Sequence, residues 1–195
     1  MKVILAFITT IITSLVLTIS LPEGFPELEN TYVNDKCGVS IQYPDDWTVE
    51  ESDFVYKDKS KTLANFYPED DFLIFGVSMD IMNLGVAKYS MWEISEYQKD
   101  LATFNTDSTI INAGITKIDG FPTHKIVYTE GMPDEYELQK EKFHTMEYLI
   151  IAYDREYKLT FEATDKKEFN KYSSIAEEMA NSIKISKPNF KGINC

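Results

Sequence analysis

The stretch Cys37-Gly38-Val39-Ser40-Ile41-Gln42-Tyr43-Pro44-Asp45-Asp46-Trp47 decides the fold of this chain. Its residues Val39, Ile41 and Tyr43 alternate with polar residues, which is the period of a strand with one buried face. The Pro-Asp-Asp segment that follows favours a turn, and a second extended run begins at Trp47. The stretch therefore predicts the first strands of an antiparallel meander.

Further extended runs follow. The clearest covers residues 72–82, where alternate residues are apolar, and a shorter one covers residues 54–56. Gly120-Phe121-Pro122 lies between extended runs on both sides and predicts a hairpin, because glycine permits the turn and proline fixes its entry. Three more strands are predicted, at residues 136–146, 148–153 and 157–163.

Two amphipathic helices accompany these strands. Ser90 and Glu93 have the spacing of a capping box, and the first helix should pack on a sheet through the apolar stripe Ile94, Tyr97, Leu101 and Phe104. Asp165 with Glu168 is the predicted cap of the second helix. The apolar stripe of that helix consists of Phe169, Tyr172, Ala176, Met179 and Ile183. The chain is predicted to be an α+β protein with a mainly antiparallel sheet flanked by helices.

Three segments resemble a known family. They are residues 38–47, the run Asp119-Gly120-Phe121-Pro122, and residues 157–163 leading into the last helix. In this order they resemble the PsbP-like domain, known from extrinsic subunits on the lumenal side of photosystem II and from related exported proteins of prokaryotes. The resemblance implies an α/β/α sandwich over residues 31–186 that serves mostly as a binding or assembly module and not as an enzyme. The connector before the domain is short and acidic, which is more similar to the prokaryotic branch.

The N-terminus predicts export. Lys2 precedes an apolar run at residues 3–17, and Thr18 and Ser20 are small residues at the −3 and −1 positions of a cleavage site. Residues 1–20 are predicted to be a signal peptide, or alternatively an uncleaved anchor. Residues 21–30 form an acidic linker and 187–195 a C-terminal tail. The protein is expected outside the cell or on the outer face of the cytoplasmic membrane, peripheral to it or anchored by its N-terminus.

The net charge and the cysteines further narrow the possible functions. The formal charge is −13, and removing residues 1–20 removes one lysine and leaves −14. Such a surface argues against nucleic acid as a partner. It could attract cations or basic protein patches, or merely keep the protein soluble. Cys37 and Cys195 could form a disulfide after export, or remain two free thiols.

No catalytic residue is predicted. His124 and His144 are the two histidines, and neither belongs to a metal-ligand spacing. Both are expected to be surface or half-buried strand residues. There is no Gly-x-Ser-x-Gly turn, and neither cysteine has a histidine nearby in the sequence. A hydrolytic enzyme is therefore the third of three hypotheses.

Two binding hypotheses rank above the hydrolytic enzyme. In the first, the protein is an exported, non-catalytic accessory module that docks on a membrane protein complex or another exported protein, with Trp92 and Tyr89 as exposed contact residues. In the second, it binds calcium, manganese or a small ligand. Glu69, Asp70 and Asp71 are the candidate metal ligands, because carboxylates in a turn suit hard cations; the alternative is a solvated turn.

Overall fold

A computed structural model describes residues 27–52, 55–56, 60–68, 76–83, 89–104, 108–131, 142–164 and 166–188. Two helices lie in these ranges, α1 (Met91–Thr103) and α2 (Lys166–Ser182). The strands are β1 (Asn30–Asn34), β2 (Val39–Tyr43), β3 (Trp47–Glu51), β4 (Val55–Tyr56), β5 (Ser60–Pro68), β6 (Gly76–Asn83), β7 (Thr109–Ile118), β8 (Phe121–Gly131), β9 (Lys142–Ala152), β10 (Arg155–Ala163) and β11 (Lys184–Ile185).

The described strands form two sheets in which all neighbours are antiparallel. The large sheet has the order β3-β5-β6-β10-β9-β8-β7, with β4 also paired to β5, and the small one has the order β1-β2-β11. The helices cover opposite faces of the large sheet, because α2 reaches Lys125 while α1 lies near His124, and successive residues of β8 point to opposite faces. The predicted α+β class with a mainly antiparallel sheet is confirmed.

The main core lies between the large sheet and α2. Tyr157, Leu159 and Phe161 alternate along β10 and are almost fully buried. The predicted stripe of α2 is buried against this face at Tyr172, Ala176, Met179 and Ile183, while Phe169 is half-buried. Phe169 stacks on Phe161, with ring centroids 5.4 Å apart. Burying each side chain of this size stabilises the fold by about 1.5–3 kcal/mol.

The hairpin predicted at Gly120 joins β7 and β8. Asp119 and Gly120 form its turn with φ of 49° and 82°, the left-handed backbone that two-residue hairpin turns use. The Asp119 carboxylate accepts a hydrogen bond of 2.8 Å from the backbone N–H of Ile185. The turn is thereby tied to β11 and to the small sheet.

Four elements differ from the prediction, because no strand was expected at β1 or β11, and strands β5 and β9 also depart from it. Strand β5 was not expected, because a bulge between Thr62 and Ala64 buries the consecutive residues Leu63 and Ala64 and so breaks the period-two pattern. Strand β9 is a single strand over Lys142–Ala152, where the sequence suggested two separate runs. Residues 72–75 and 136–141 of the predicted strands lie outside the described residues. In the described part of the chain, neither helix has the length and hydropathy of a membrane-crossing segment.

Candidate functional site

Helix α1 begins with the predicted capping box. The Ser90 side chain accepts a hydrogen bond from the Glu93 backbone N–H, and the Glu93 carboxylate accepts one from the Ser90 backbone N–H at 2.8 Å. The two bonds satisfy donors that a helix start otherwise leaves free. The Glu93 carboxylate accepts hydrogen bonds from both the backbone N–H and the hydroxyl of Ser90, and these two bonds lower the pKa of its carboxyl. A sharply defined start fixes which residues of α1 face the sheet and which face solvent.

The apolar stripe predicted to pack α1 on the sheet points into solvent instead. Tyr97, Leu101 and Phe104 are 60%, 48% and 85% exposed, and Ile94 is half-buried. The residue of α1 that is fully buried is Ser95. Met91, one turn before it, and Ala102, two turns after it, are half-buried on the same side of the helix. Small side chains let α1 approach the sheet closely, so the larger apolar residues are left on the outer side.

The predicted contact residues Tyr89 and Trp92 are also exposed, at 73% and 64%. Trp92 precedes Tyr97 by five positions. At 3.6 residues per turn, this separates the two side chains by roughly 140° around the helix axis. Trp92 therefore lies on a different flank of α1 from the stripe that ends at Phe104. We call these five exposed side chains the α1 surface: Tyr89, Trp92, Tyr97, Leu101 and Phe104.

Strand β7 adds exposed apolar residues beside α1. The helix packs across β7 and β8, and Ile111 and Ile115 of β7 are 58% and 53% exposed. A register shift between Ile110 and Asn112 in the β7–β8 pairing marks a bulge at Ile111. Large exposed apolar side chains collected on adjacent elements are typical of interaction surfaces.

Beneath α1, the side chain of His124 is fully buried. The expectation of a surface or half-buried histidine is wrong for this residue, because α1 covers one face of β8 while α2 covers the other. Neither ring nitrogen of His124 has a hydrogen-bond partner. Burial lowers the pKa of His124, the nearby Lys99 charge lowers it further, and Glu147 and Glu96 oppose the shift.

A row of polar side chains continues on the same face of the sheet. The Tyr128 hydroxyl donates to Glu147 at 3.3 Å, and the Lys158 ammonium lies 3.1 Å from the same carboxylate. Burial, with help from Glu147, raises the pKa of Tyr128. The pKa of Glu162 is raised because neighbouring side chains displace water from its carboxylate, even though the residue as a whole is exposed, and because Glu130 and Glu147 repel it. The Glu147 carboxylate thus joins Tyr128 and Lys158 on this face of the sheet.

A pocket of about 190 Å³ lies on the other face, between β7, β8, β9 and α2. Lys125 and Glu177 form an ion pair in its wall, beside the amides of Asn112 and Asn181. Partial burial lowers the pKa of Lys125, but the contacts and charges of Glu177 and Tyr148 together outweigh this effect and raise the pKa overall. The Tyr148 hydroxyl is buried there without a well-formed hydrogen bond. The pocket offers donors and acceptors to a small polar molecule.

Comparison with known proteins identifies the fold. No protein-family model and no curated protein matches the chain. The solution structure of cyanobacterial PsbP (CyanoP) from Synechocystis sp. PCC 6803 superposes with a TM-score of 0.55 at 13% identity, covering 87% of this chain and 99% of that chain. The protein has a PsbP-like fold. The predicted resemblance is thus confirmed for the fold.

Two other solved structures share this fold. LpqN of Mycobacterium tuberculosis, involved in cell envelope biogenesis, has a TM-score of 0.55 at 9% identity, covering 76% of this chain and 83% of that chain. The Ran-binding protein Mog1p of Saccharomyces cerevisiae has a TM-score of 0.50 at 11% identity, covering 81% and 95%. At such identities the likeness is one of fold.

Several predicted sites of this PsbP-like chain fall outside the described residues. They are the candidate metal ligands Glu69, Asp70 and Asp71, the cysteine Cys195, the helix cap residue Asp165 and the leader at residues 1–20. Within the described ranges, no group of three or more His, Cys, Asp or Glu residues could hold a metal ion. His144 is half-buried as predicted, with its ring 5.6 Å from that of Phe169.

Cys37 lies at a junction of the PsbP-like fold. It is fully buried, and its carbonyl accepts a hydrogen bond of 3.1 Å from the Tyr157 hydroxyl. The next residue, Gly38, has φ of 69°, and its carbonyl accepts a bond of 2.8 Å from the Ser186 backbone N–H. The chain segment that leads to Cys195 therefore passes directly beside Cys37.

Proposed function

We propose that the protein is an exported, non-catalytic binding module that docks on a membrane protein complex or on another exported protein through the α1 surface. The observation that carries this proposal is the exposure of that surface. Its five side chains are between 48% and 85% exposed on or next to one well-capped helix. Aromatic side chains dominate the energetics of protein interfaces, and exposing them without a partner is unfavourable in water.

Two proteins of the same fold support a binding role. Mog1p is a Ran-binding protein, and LpqN is involved in cell envelope biogenesis. Export rests on the sequence of residues 1–20, with its short cationic start and apolar run.

The charges of α1 indicate what the partner surface offers. Glu93 and Asp100 are exposed beside the apolar residues, while Lys99 is paired with Glu96 at 2.8 Å. The whole chain carries a formal charge of −13. An apolar groove bordered by basic side chains would complement this helix, because opposite potentials steer and orient association.

Replacing two apolar residues of the α1 surface should weaken docking strongly without unfolding the protein. The double variant Leu101→Ser/Phe104→Ser removes two exposed apolar side chains, and we expect its affinity for the partner to fall at least 30-fold, as for interface residues worth about 2 kcal/mol or more. Trp92→Ala, tested separately, shows whether the other flank of α1 takes part. The measurement is cross-linking and affinity capture from native envelope extract, with the chain tagged from Leu21 onward.

The matched control is Val33→Ser/Tyr153→Ser, which changes two exposed apolar residues outside α1. Partner capture by this control should equal that of the unmodified chain. If the α1 variants capture the same proteins in the same amounts, the α1 surface is not the docking site.

Binding of a small polar ligand is the second candidate function, because the pocket between β7 and α2 is lined by an ion pair and two amides. We expect amino acids or polyols at millimolar concentration to raise the Tm of the protein, by mass action on the folded state. The increase should disappear in Lys125→Met, which keeps the length of the side chain but removes its charge. A Tm that no such solute raises, or that rises equally in the variant, would exclude this pocket as the binding site.

A further inference from the structure

His124 is an unusual buried group. Its side chain has no exposed surface, and neither Nδ1 nor Nε2 has a hydrogen-bond partner. Most buried polar side-chain atoms have one, and leaving a buried polar group unpaired destabilises the fold. The neutral ring is tolerated at this cost, but a protonated ring would carry a full charge without an acceptor.

The groups around His124 do not compensate for that charge. Helix α1 brings Lys99, which repels an imidazolium, and Glu96, which attracts it, while β9 contributes Glu147. Lys99 and Glu96 are paired with each other, and Glu147 is paired with Lys158. Strand β7 places the uncharged Ile115 opposite His124 in the sheet. An imidazolium at this position therefore needs water, and water reaches it only when the covering element moves.

Helix α1 is the element that can move most easily. Ser95 is its one fully buried residue, whereas α2 buries five: Tyr172, Ile175, Ala176, Met179 and Ala180. Detaching α1 exposes little apolar surface, and the free energy lost scales with the apolar area exposed. Detaching α2 would open the main core.

We propose that His124 is a proton-operated latch for helix α1. The neutral ring lets α1 lie on β8, and protonation releases the helix so that the imidazolium can be hydrated. The latch rests on the proposed function for its biological role, because α1 carries the docking surface. Acidification would then loosen the surface that binds the partner.

The direction of the pH effect follows from the shift of the His124 pKa. Burial lowers this pKa below the ordinary value of 6.5, so the unfolded or detached state binds the proton more readily than the closed state. The stabilisation of the closed state is complete above pH 6.5 and is lost as the pH falls from 6.5 toward the lowered pKa. For one proton the loss reaches at most tenfold in the closing equilibrium per pH unit, or about 1.36 kcal/mol.

Hydrogen exchange of the full chain, without any partner, tests the latch. Between pH 7.5 and 5.5, the protection of the α1 amides, corrected for intrinsic exchange rates, should fall several-fold, while that of the α2 amides stays constant. In His124→Phe, which cannot be protonated, the α1 protection should be the same at both pH values. His144→Phe is the matched control, because it removes the other histidine, and it should respond as the unmodified chain does.

His124→Gln provides a second non-titrating variant if phenylalanine disturbs packing under α1. The latch is wrong if α1 protection does not change with pH, or if both His124 variants keep the pH response, which would assign that response to a group other than His124. Because no partner is present, a negative result here leaves the docking proposal intact. Failure of partner capture would in turn leave the exchange result unaffected.

Discussion

Gly38→Ala should lower the free energy of unfolding by about 3 kcal/mol, since two unfavourable terms add at this position. The residue has φ of 69°, where an L-residue with a Cβ loses about 1–2 kcal/mol. A Cβ at Gly38 would also lie 2.4 Å from the backbone carbonyl oxygen of Ser186. Relieving such an overlap costs roughly a further 1–3 kcal/mol. The bond between Ser186 and the Gly38 carbonyl would weaken as the two segments separate.

Gly120→Ala is the matched control for this prediction. Gly120 also has a left-handed backbone, with φ of 82°, but a Cβ there has open space around it. It should lose only the conformational term of about 1–2 kcal/mol. Urea unfolding of both variants measures the difference. Equal losses at the two glycines would show that the β2–β11 junction can relax and that the close approach at Ser186 contributes nothing.

Cys195→Ser should destabilise the oxidised protein by roughly 5 kcal/mol if Cys37 and Cys195 form a disulfide, as the chain-entropy model gives for a loop of about 158 residues. The described geometry favours this bridge. Cys37 is buried next to Gly38, whose carbonyl binds Ser186. The residues after Ser186 extend at most about 3.3–3.6 Å each, which is ample for Cys195 to return to Cys37.

The disulfide prediction has a chemical test and a thermodynamic one. Titration of thiols in denatured, unreduced protein should find none, and two titratable thiols would contradict the bridge. A reductant should lower the urea midpoint of the unmodified chain to nearly that of Cys195→Ser. The same reductant should leave the midpoint of Cys195→Ser unchanged, which separates loss of the bridge from general effects of the reagent.

The sequence predicted well those elements whose pattern is local. Strand β10 and helix α2 follow their apolar periods closely, because each has one face on the main core. The turn at Gly120 could be predicted from the sequence because its positive φ favours glycine. Strand β5 was missed because its bulge places two consecutive residues, Leu63 and Ala64, in the core. Local periodicity cannot show a register shift that arises from pairing with β6.

The candidate site was only partly predictable for a similar reason. Exposure of Trp92 and Tyr89 was expected and is observed, whereas Leu101 and Phe104 were assigned to the sheet side of α1. An apolar stripe shows that one side of a helix avoids water, but the partner that covers it can be another protein instead of the helix's own sheet. Burial of His124 depends on α1 crossing β8, a tertiary contact that no spacing within β8 indicates.

The small sheet-facing side chains of α1 also bear on how this domain can diversify. Ser95 anchors the helix while Tyr97, Leu101 and Phe104 make little contact with the core. Residues that are exposed in the free protein can be exchanged with small effects on stability, commonly within about 0.5 kcal/mol. Residues on the outer side of α1 can therefore change during evolution to fit a new partner, while the residues of the β10–α2 core stay the same. One fold can in this way carry many binding specificities.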